Sequence, residues 1–251
     1  MTDKIAIVTG GSRGIGRDTV LRLAARGETC ILTFNANQAE ADKVVALAQE
    51  AGGRAAALQL DVGDAASFDG FVDRVRETLA AWGAERFDHL VNNAGTSSNK
   101  TLETITADEM DALYAVHFKG PLFLTQKLLP LMNDGGRIVN LSSGLARFAM
   151  AGRIGYGPIK AAVEALSRNM AFELGPRGIT VNIVAPGAIA TDFSGGIVRD
   201  NPEVAKAVAA AAALGRVGLP EDVGPVIAGL LSDEFGWVNA QRIEVSGGAH
   251  I

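Results

Sequence analysis

Only one cysteine, Cys30, occurs in the 251 residues. A lone thiol cannot close an intrachain disulfide, and metal sites built from several thiolates are excluded with it, so no metal is expected. No apolar stretch reaches the roughly 18–20 residues that span a bilayer. The opening "MTDKIAIVTGG" passes directly into a strand-like run, without the apolar core of a signal peptide. A reducing, cytoplasmic setting without a membrane partner is therefore expected. Positive charge is scarce too: 23 Lys and Arg face 28 Asp and Glu, a net charge of −5. Nucleic acid would favour a basic face and is not expected as a partner. Eight prolines against 30 glycines indicate tight turns, and no linker, charge block or repeat divides the chain.

What the chain does contain is alternation. Apolar runs at 4–10, 29–34, 54–62, 87–95, 136–143, 179–187 and 241–248 read as strands. Between them lie helix-like segments at 14–27, 38–52, 65–83, 107–132 and 157–174, and the alanine-rich 207–214 reads as a small-residue helix. Continuous apolar strands are buried on both faces, and connections of helical length make parallel crossovers. The expected fold is α/β: a doubly wound parallel sheet of Rossmann type, one domain over 1–251.

The first strand runs into "TGGSRGIG". Glycine at 10, 14 and 16 lets the backbone turn sharply and approach a pyrophosphate, and the following helix directs free N–H groups at it. Gly10, Ser12, Arg13, Gly14, Ile15 and Gly16 are thus a candidate dinucleotide cradle. An acid about twenty residues on, at the end of strand two, would hold a ribose 2′-hydroxyl. Here Asn35 stands in that place, and Arg13 offers a cation. The pair favours NADP(H) over NAD(H), unless Arg13 is only a solvated loop residue.

Five segments in order, "TGGSRGIG", "NNAG" at 92–95, Ser143, Tyr156-x-x-x-Lys160 and "PGAIAT" at 186–191, resemble the classical short-chain dehydrogenases/reductases over essentially the whole chain. The resemblance implies hydride transfer between a nicotinamide and a ketone or aldehyde (a secondary alcohol in reverse). That reaction needs a proton donor. A free tyrosine, with a pKa of about 10, is too weak an acid, and a neighbouring ammonium is expected to lower it. At i and i+4, Tyr156 and Lys160 share one helix face. Ser143 is expected to orient the substrate oxygen, Lys160 also to hold the nicotinamide ribose, and Ser142 to be scaffold.

The same resemblance places Asn92, Ala94 and Gly95 at the adenosine half of the cofactor and Asp61 with Val62 at the adenine. Asp61 has the alternative role of a helix N-cap. Pro186, Gly187, Ile189 and Thr191 fall at the carboxamide. One departure stands out. Where relatives carry an asparagine that holds a relay water, this chain has His117, in "YAVHFKG". With an ordinary pKa near 6.5 it is either a proton shuttle or a buried spacer. His89 and His250 have no such context.

The segment 192–214 corresponds to the family's substrate lid, with Gly195 and Gly196 as hinges. Phe148, Met150, Ile154 and Phe193 are candidate apolar walls, and Ser97, Ser98 and Asn99 a candidate entrance. The expected partner is a small carbonyl or alcohol substrate, with self-association as a homotetramer or dimer through 107–132 and 157–174. Three functions compete: an NADPH-dependent carbonyl reductase, a 3-oxoacyl-acyl-carrier-protein reductase, and a non-catalytic dinucleotide sensor. The carrier-protein reading needs a basic docking face, for which Lys100, Lys119, Lys127, Arg147 and Arg153 are candidates.

Overall fold

Strands β1 (Ile5–Val8), β2 (Thr29–Phe34), β4 (Phe87–Asn92) and β6 (Thr180–Pro186) are buried at every position, as runs without polar alternation require. With β3 (Arg54–Gln59), β5 (Met132–Leu141) and β7 (Arg242–Val245) they form one seven-stranded sheet in the order β3-β2-β1-β4-β5-β6-β7. Every pairing is parallel. The structure is a computed structural model and describes residues 4–251. Among them, no helix is long and apolar enough to cross a membrane.

Alternate strand residues feed two cores. Ile5, Ile7, Ile31, Leu90 and Ile138 meet Phe68, Phe71, Leu124, Leu128 and Met170 on one face. These come from α3 (Phe68–Ala81), α5 (Gly120–Leu128) and α6 (Tyr156–Leu174). Ala6, Val8, Leu32, Val91 and Val139 meet Val20, Leu23, Val44, Val223 and Ile227 on the other, from α1 (Gly14–Ala24), α2 (Gln38–Glu50) and α9 (Pro220–Leu230). Each fully buried aliphatic or aromatic side chain contributes roughly 1.5–3 kcal/mol, so both faces are needed to hold the sheet. The molecule is a single doubly wound α/β domain, as expected.

Several boundaries differ. The helix expected over 107–132 is broken into α4 (Ala107–Tyr114), a π-turn over Ala115–Lys119, α5 and a 3₁₀ turn at Leu129–Leu131. Pro121 has no N–H to return to the carbonyl of residue 117, so the ordinary ladder cannot close there. Strand β5 starts at Met132 rather than 136, because Met132 pairs with Phe87 across a register shift. The alanine-rich helix is α8 (Pro202–Ala211), displaced from the expected 207–214, because Asn201 caps it by accepting from the N–H groups of Glu203 and Val204 at 3.0 and 3.2 Å. A short α7 (Ile197–Asp200) precedes it. Helix α9 is an addition to the expected helices, and it contains Gly224 and Pro225. Its packing needs that glycine, because a Cβ there would strike the Asp18 carboxylate of α1.

Candidate active site

The carboxyl ends of β1, β4, β5 and β6 bring the chemistry-bearing residues to one edge of the sheet. At the end of β1 the turn is closed to side chains. Gly10 has a φ of +63°, and a Cβ on it would lie 2.9 Å from the Ala94 Cα. A Cβ on Gly16 would overlap the Gly10 carbonyl. The backbone is stitched from two sides. Thr9 Oγ1 accepts from the N–H groups of Asn93 and Ala94, both at 3.0 Å. Asn93 Nδ2 donates to the carbonyls of Thr9 and Gly10 at 2.8 and 3.1 Å. Helix α1 begins with no side-chain cap, which leaves its first N–H groups open. A bare backbone cradle beneath an uncapped helix start fits a dinucleotide pyrophosphate.

Thr9 and Asn93 were not singled out in the sequence, although the doubled asparagine of "NNAG" was the available signal. Asn92 faces inward, where its amide donates to Asn140 Oδ1 at 2.8 Å and to Thr125 Oγ1 at 3.2 Å. Asp61 accepts from the Gly63 N–H at 2.8 Å, and the cap of the next 3₁₀ turn is Asp64 instead. Val62 is buried, whereas Asn35 is exposed with its carbonyl bound by Gln59. Arg13 reaches to the segment 192–214, 3.8 Å from Asp192 Oδ2. Ser12 and Ile15 complete the loop. Pro186 ends β6, the close approach of Gly187 to Ser246 admits no side chain, and Ile189 forms a parallel bridge with Gly218. Thr191 meets the space above Gly14, a Cβ on which would lie 3.2 Å from Thr191 Cγ2.

Ser143 follows β5, and its Oγ accepts from the Leu145 N–H at 3.2 Å. Tyr156 opens α6 at 7% exposure, and Lys160, one turn later, is 5% exposed. The Lys160 Nζ donates to the Leu141 carbonyl at 2.7 Å and lies 5.7 Å from the centre of the Tyr156 ring. No carboxylate faces it as an ion pair among the described residues. Burial drives its pKa down to about 7.

The expected acidification of the phenol by Lys160 is not what this geometry gives. Burial pushes the Tyr156 pKa up, and the groups that oppose this are Ser143 and the Arg153 cation. The amine itself is the group poised near neutrality. Ser142 is scaffold, as expected, donating to Glu164 at 2.6 Å.

His117 lies in the π-turn, 2% exposed, with its ring edge-on to Tyr156 at 5.4 Å between centroids. Its Nε2 sits 2.7 Å from the Thr96 carbonyl, and its buried Nδ1 has no partner. Burial first, and then the Lys160 charge, hold its pKa at about 3 rather than near 6.5. At neutral pH the ring is uncharged, so a shuttle through imidazolium is disfavoured here.

A cavity of about 430 Å³ opens at Phe193 and is lined also by Arg13 and Gly95; Ser143, Tyr156 and Lys160 do not line it. Of the expected walls only Phe193 lines it, its ring 6.0 Å from that of Tyr156. Phe148 instead packs on His250 at 4.1 Å, and Met150 and Ile154 are exposed. Thr96, Ser97, Asn99 and Arg153 give the cavity a polar lining. The segment expected as a lid turns at Ser194, Gly195 and Gly196, all at positive φ, and is tied by Ser194 Oγ to Ser97 Oγ at 2.8 Å. Lys100, Lys127 and Arg147 are paired with Glu109, Asp69 and Glu244 at 3.2, 2.6 and 2.9 Å, so the candidate basic face is largely neutralised.

Comparison with known proteins agrees with this architecture. A sequence profile described as Enoyl-(Acyl carrier protein) reductase matches residues 10–250. A hydroxynaphthalene reductase-like protein of Metarhizium brunneum is 34% identical over 261 residues, covering 99% of this chain and 96% of that protein. A promiscuous reductase that catalyses keto-reduction at C1 during lugdunomycin biosynthesis superposes with a TM-score of 0.90 at 40% identity, over 98% of this chain and 96% of that one. An angucycline C-6 ketoreductase with bound NADP does so with a TM-score of 0.90 at 35% identity, over 98% and 95%. On its motifs, sheet order and relatives, the chain belongs to the classical short-chain dehydrogenase/reductase family and is an NAD(P)-dependent oxidoreductase acting on carbonyl and alcohol groups.

Proposed function

We propose that this enzyme uses NADPH to reduce a ketone or aldehyde, with Tyr156 as proton donor, Ser143 orienting the substrate oxygen and Lys160 serving both Tyr156 and the cofactor ribose. The observation that carries this reading is the buried Lys160 amine, held by one backbone carbonyl beside Tyr156 with no carboxylate to neutralise it. An unneutralised buried ammonium is unfavourable, so its retention here favours a chemical role. A bound nicotinamide supplies the hydride. The chain's part is to receive the developing negative charge on the substrate oxygen. Ser143 donates to that oxygen, and the Tyr156 phenol then passes its proton to it. Lys160, donating to Leu141 with one of its hydrogens, keeps two for the ribose and for returning a proton towards Tyr156. Tyr156 and Lys160 lie in a site that excludes bulk water, where such contacts are strong.

NADPH over NADH is supported by Asn35 at the end of β2 and by Arg13. The Arg13 partner, Asp192, is exposed and 3.8 Å away, a pairing weak enough to exchange for a 2′-phosphate. His117 is assigned to positioning: its neutral ring ties the π-turn to Thr96 and presents Nδ1 as an acceptor. The lid is 192–214, and the exposed Phe172, Phe123 and Tyr114 on α6, α5 and α4 supply an apolar face for a homotetramer or dimer. Reduction of the 3-oxo group of a 3-oxoacyl-acyl-carrier-protein substrate is the second reading, and the matching profile's description, an enoyl reductase, lends it only the carrier protein. A panel of ketones, aldehydes and an acyl-carrier-protein thioester, each run with NADPH and NADH, tests the assignment. Turnover of simple carbonyls with NADPH preferred is expected. Cofactor binding without turnover of any of them would overturn it in favour of a sensor.

A further inference from the structure

Arg153 stands apart from the other arginines of this site. Arg13 and Arg199 both engage Asp192, and Arg147 is held by Glu244. Arg153 lines the same cavity as Phe193, whose ring is 6.0 Å from that of Tyr156, and, among the described residues, has no carboxylate partner. Its side-chain contact is one neutral acceptor, the Ser98 carbonyl, at 3.0 Å from Nη1. A guanidinium carries five N–H donors in a rigid planar fork, so a single carbonyl leaves most of that capacity unanswered.

The position of this cation is fixed by backbone. Residue 153 bridges to Lys100 in a parallel pairing, and its carbonyl accepts from the Gly157 N–H at 3.0 Å in the first turn of α6. The preceding Gly152, at a φ of +76°, packs where any Cβ would strike the Asn99 side chain. Two loops are thereby clamped together with the guanidinium between them, three residues before Tyr156. The one carboxylate that lines the same cavity, Asp192, is already held by Arg199 and Arg13. The cavity is left with an excess of positive charge and with the hydroxyl of Ser97 and the amide of Asn99 beside it.

We propose that Arg153 is a specificity residue which grips an anionic oxygen, a carboxylate or an ionised phenol or enol, on the substrate away from its reducible carbonyl. The proposal rests on the carbonyl-reductase reading of the site and narrows its substrate to acidic carbonyl compounds. Ser97 and Asn99 complete the grip as neutral donors, and Phe193 covers the apolar part between the two ends. A charge-assisted, forked contact of this kind is worth roughly ten- to a hundredfold in affinity.

The probes are 4-acetylbenzoate and its methyl ester, which differ in the charge at the far end. Each is measured for binding to the NADPH complex by calorimetry and for NADPH consumption, with the unaltered protein, Arg153→Gln and Arg153→Lys. The expected result is an acid-over-ester preference in binding of roughly tenfold or more, abolished in R153Q and partly restored in R153K. Equal binding of acid and ester by the unaltered protein overturns the proposal, as does a preference that survives R153Q. If R153Q does not fold, as judged by its circular dichroism and melting, Asn99→Ala and R153K decide: both must lower the same ratio, and an unchanged ratio in both overturns the proposal. Discrimination in binding without any NADPH consumption would instead overturn the reductase assignment and leave the anion grip standing.

Discussion

Two regions of one cleft are built on opposite physical plans. The cradle after β1 is held by partly buried, short-range bonds from Thr9 and Asn93 to backbone, over glycines such as Gly16 that tolerate no added atom. The segment 192–214, the proposed lid, is held by surface pairs such as Arg199 with Asp200 at 2.7 Å and by the hydroxyl contact of Ser194 to Ser97. Exposed ion pairs are worth little, whereas buried hydrogen bonds are expensive to leave broken. Ser194, a residue with a side chain at a φ of +56°, adds local strain to the lid. On the proposed function, the cradle would be a preformed receptor and the segment 192–214 a marginal structure that a bound substrate can re-form at low cost.

Substitutions can break this contrast in order of severity. Gly16→Val should abolish cofactor binding by calorimetry while leaving the melting transition cooperative; retained micromolar binding would show that the cradle is not the receptor. Tyr156→Phe should lower kcat by about 10²–10⁴-fold with cofactor affinity little changed, the usual worth of a positioned acid.

Lys160→Met should be equally damaging to turnover yet raise the melting temperature of the cofactor-free protein, because a desolvated amine is replaced by an apolar chain of similar length. The same residue sets a pH signature. Its native pKa of about 7 lies below the ordinary 10.5, so between those values the unfolded chain holds a proton that the native one lacks. The Lys160 contribution to stability therefore rises as pH climbs from about 7 to about 10.5. Denaturant midpoints at pH 7 and pH 10, compared with Lys160→Met, should show this gain only in the parent. At the mild end, Arg199→Ala should leave stability nearly unchanged while raising KM, as expected of an exposed ion pair; a large loss of stability would mean that the segment 192–214 is part of the core.

The same contrast explains what could be read in the sequence. Parallel strands buried on both faces leave long apolar runs, so β1, β2, β4 and β6 are visible without a structure. Backbone cradles leave glycines in fixed order, and Tyr156 and Lys160 leave their i, i+4 spacing. Side chains that act by turning inward leave no such trace: nothing in "NNAG" tells that Asn92 braces the sheet while Asn93 braces the cradle. The upward push of burial on Tyr156 leaves no trace in the sequence either, because it depends on packing and on a Lys160 amine aimed at the Leu141 carbonyl. Helix α9 was hidden because its glycine serves a neighbour, Asp18, that only the fold brings near.

The π-turn at Ala115–Lys119 has a consequence for how this site tolerates change. One wide loop of backbone acts as a spare link in an otherwise regular coil. Deleting a single residue there would take out the extra link, though Pro121 would still offer no N–H to the ladder, and everything upstream would rotate by about 100° relative to α5, the angle of one helical step. The imidazole would swing off Thr96 and away from the Tyr156 ring while the hydrophobic seam of α5 stayed in place. A protein shortened by one residue at this point would thus be expected to remain folded and lose its alignment.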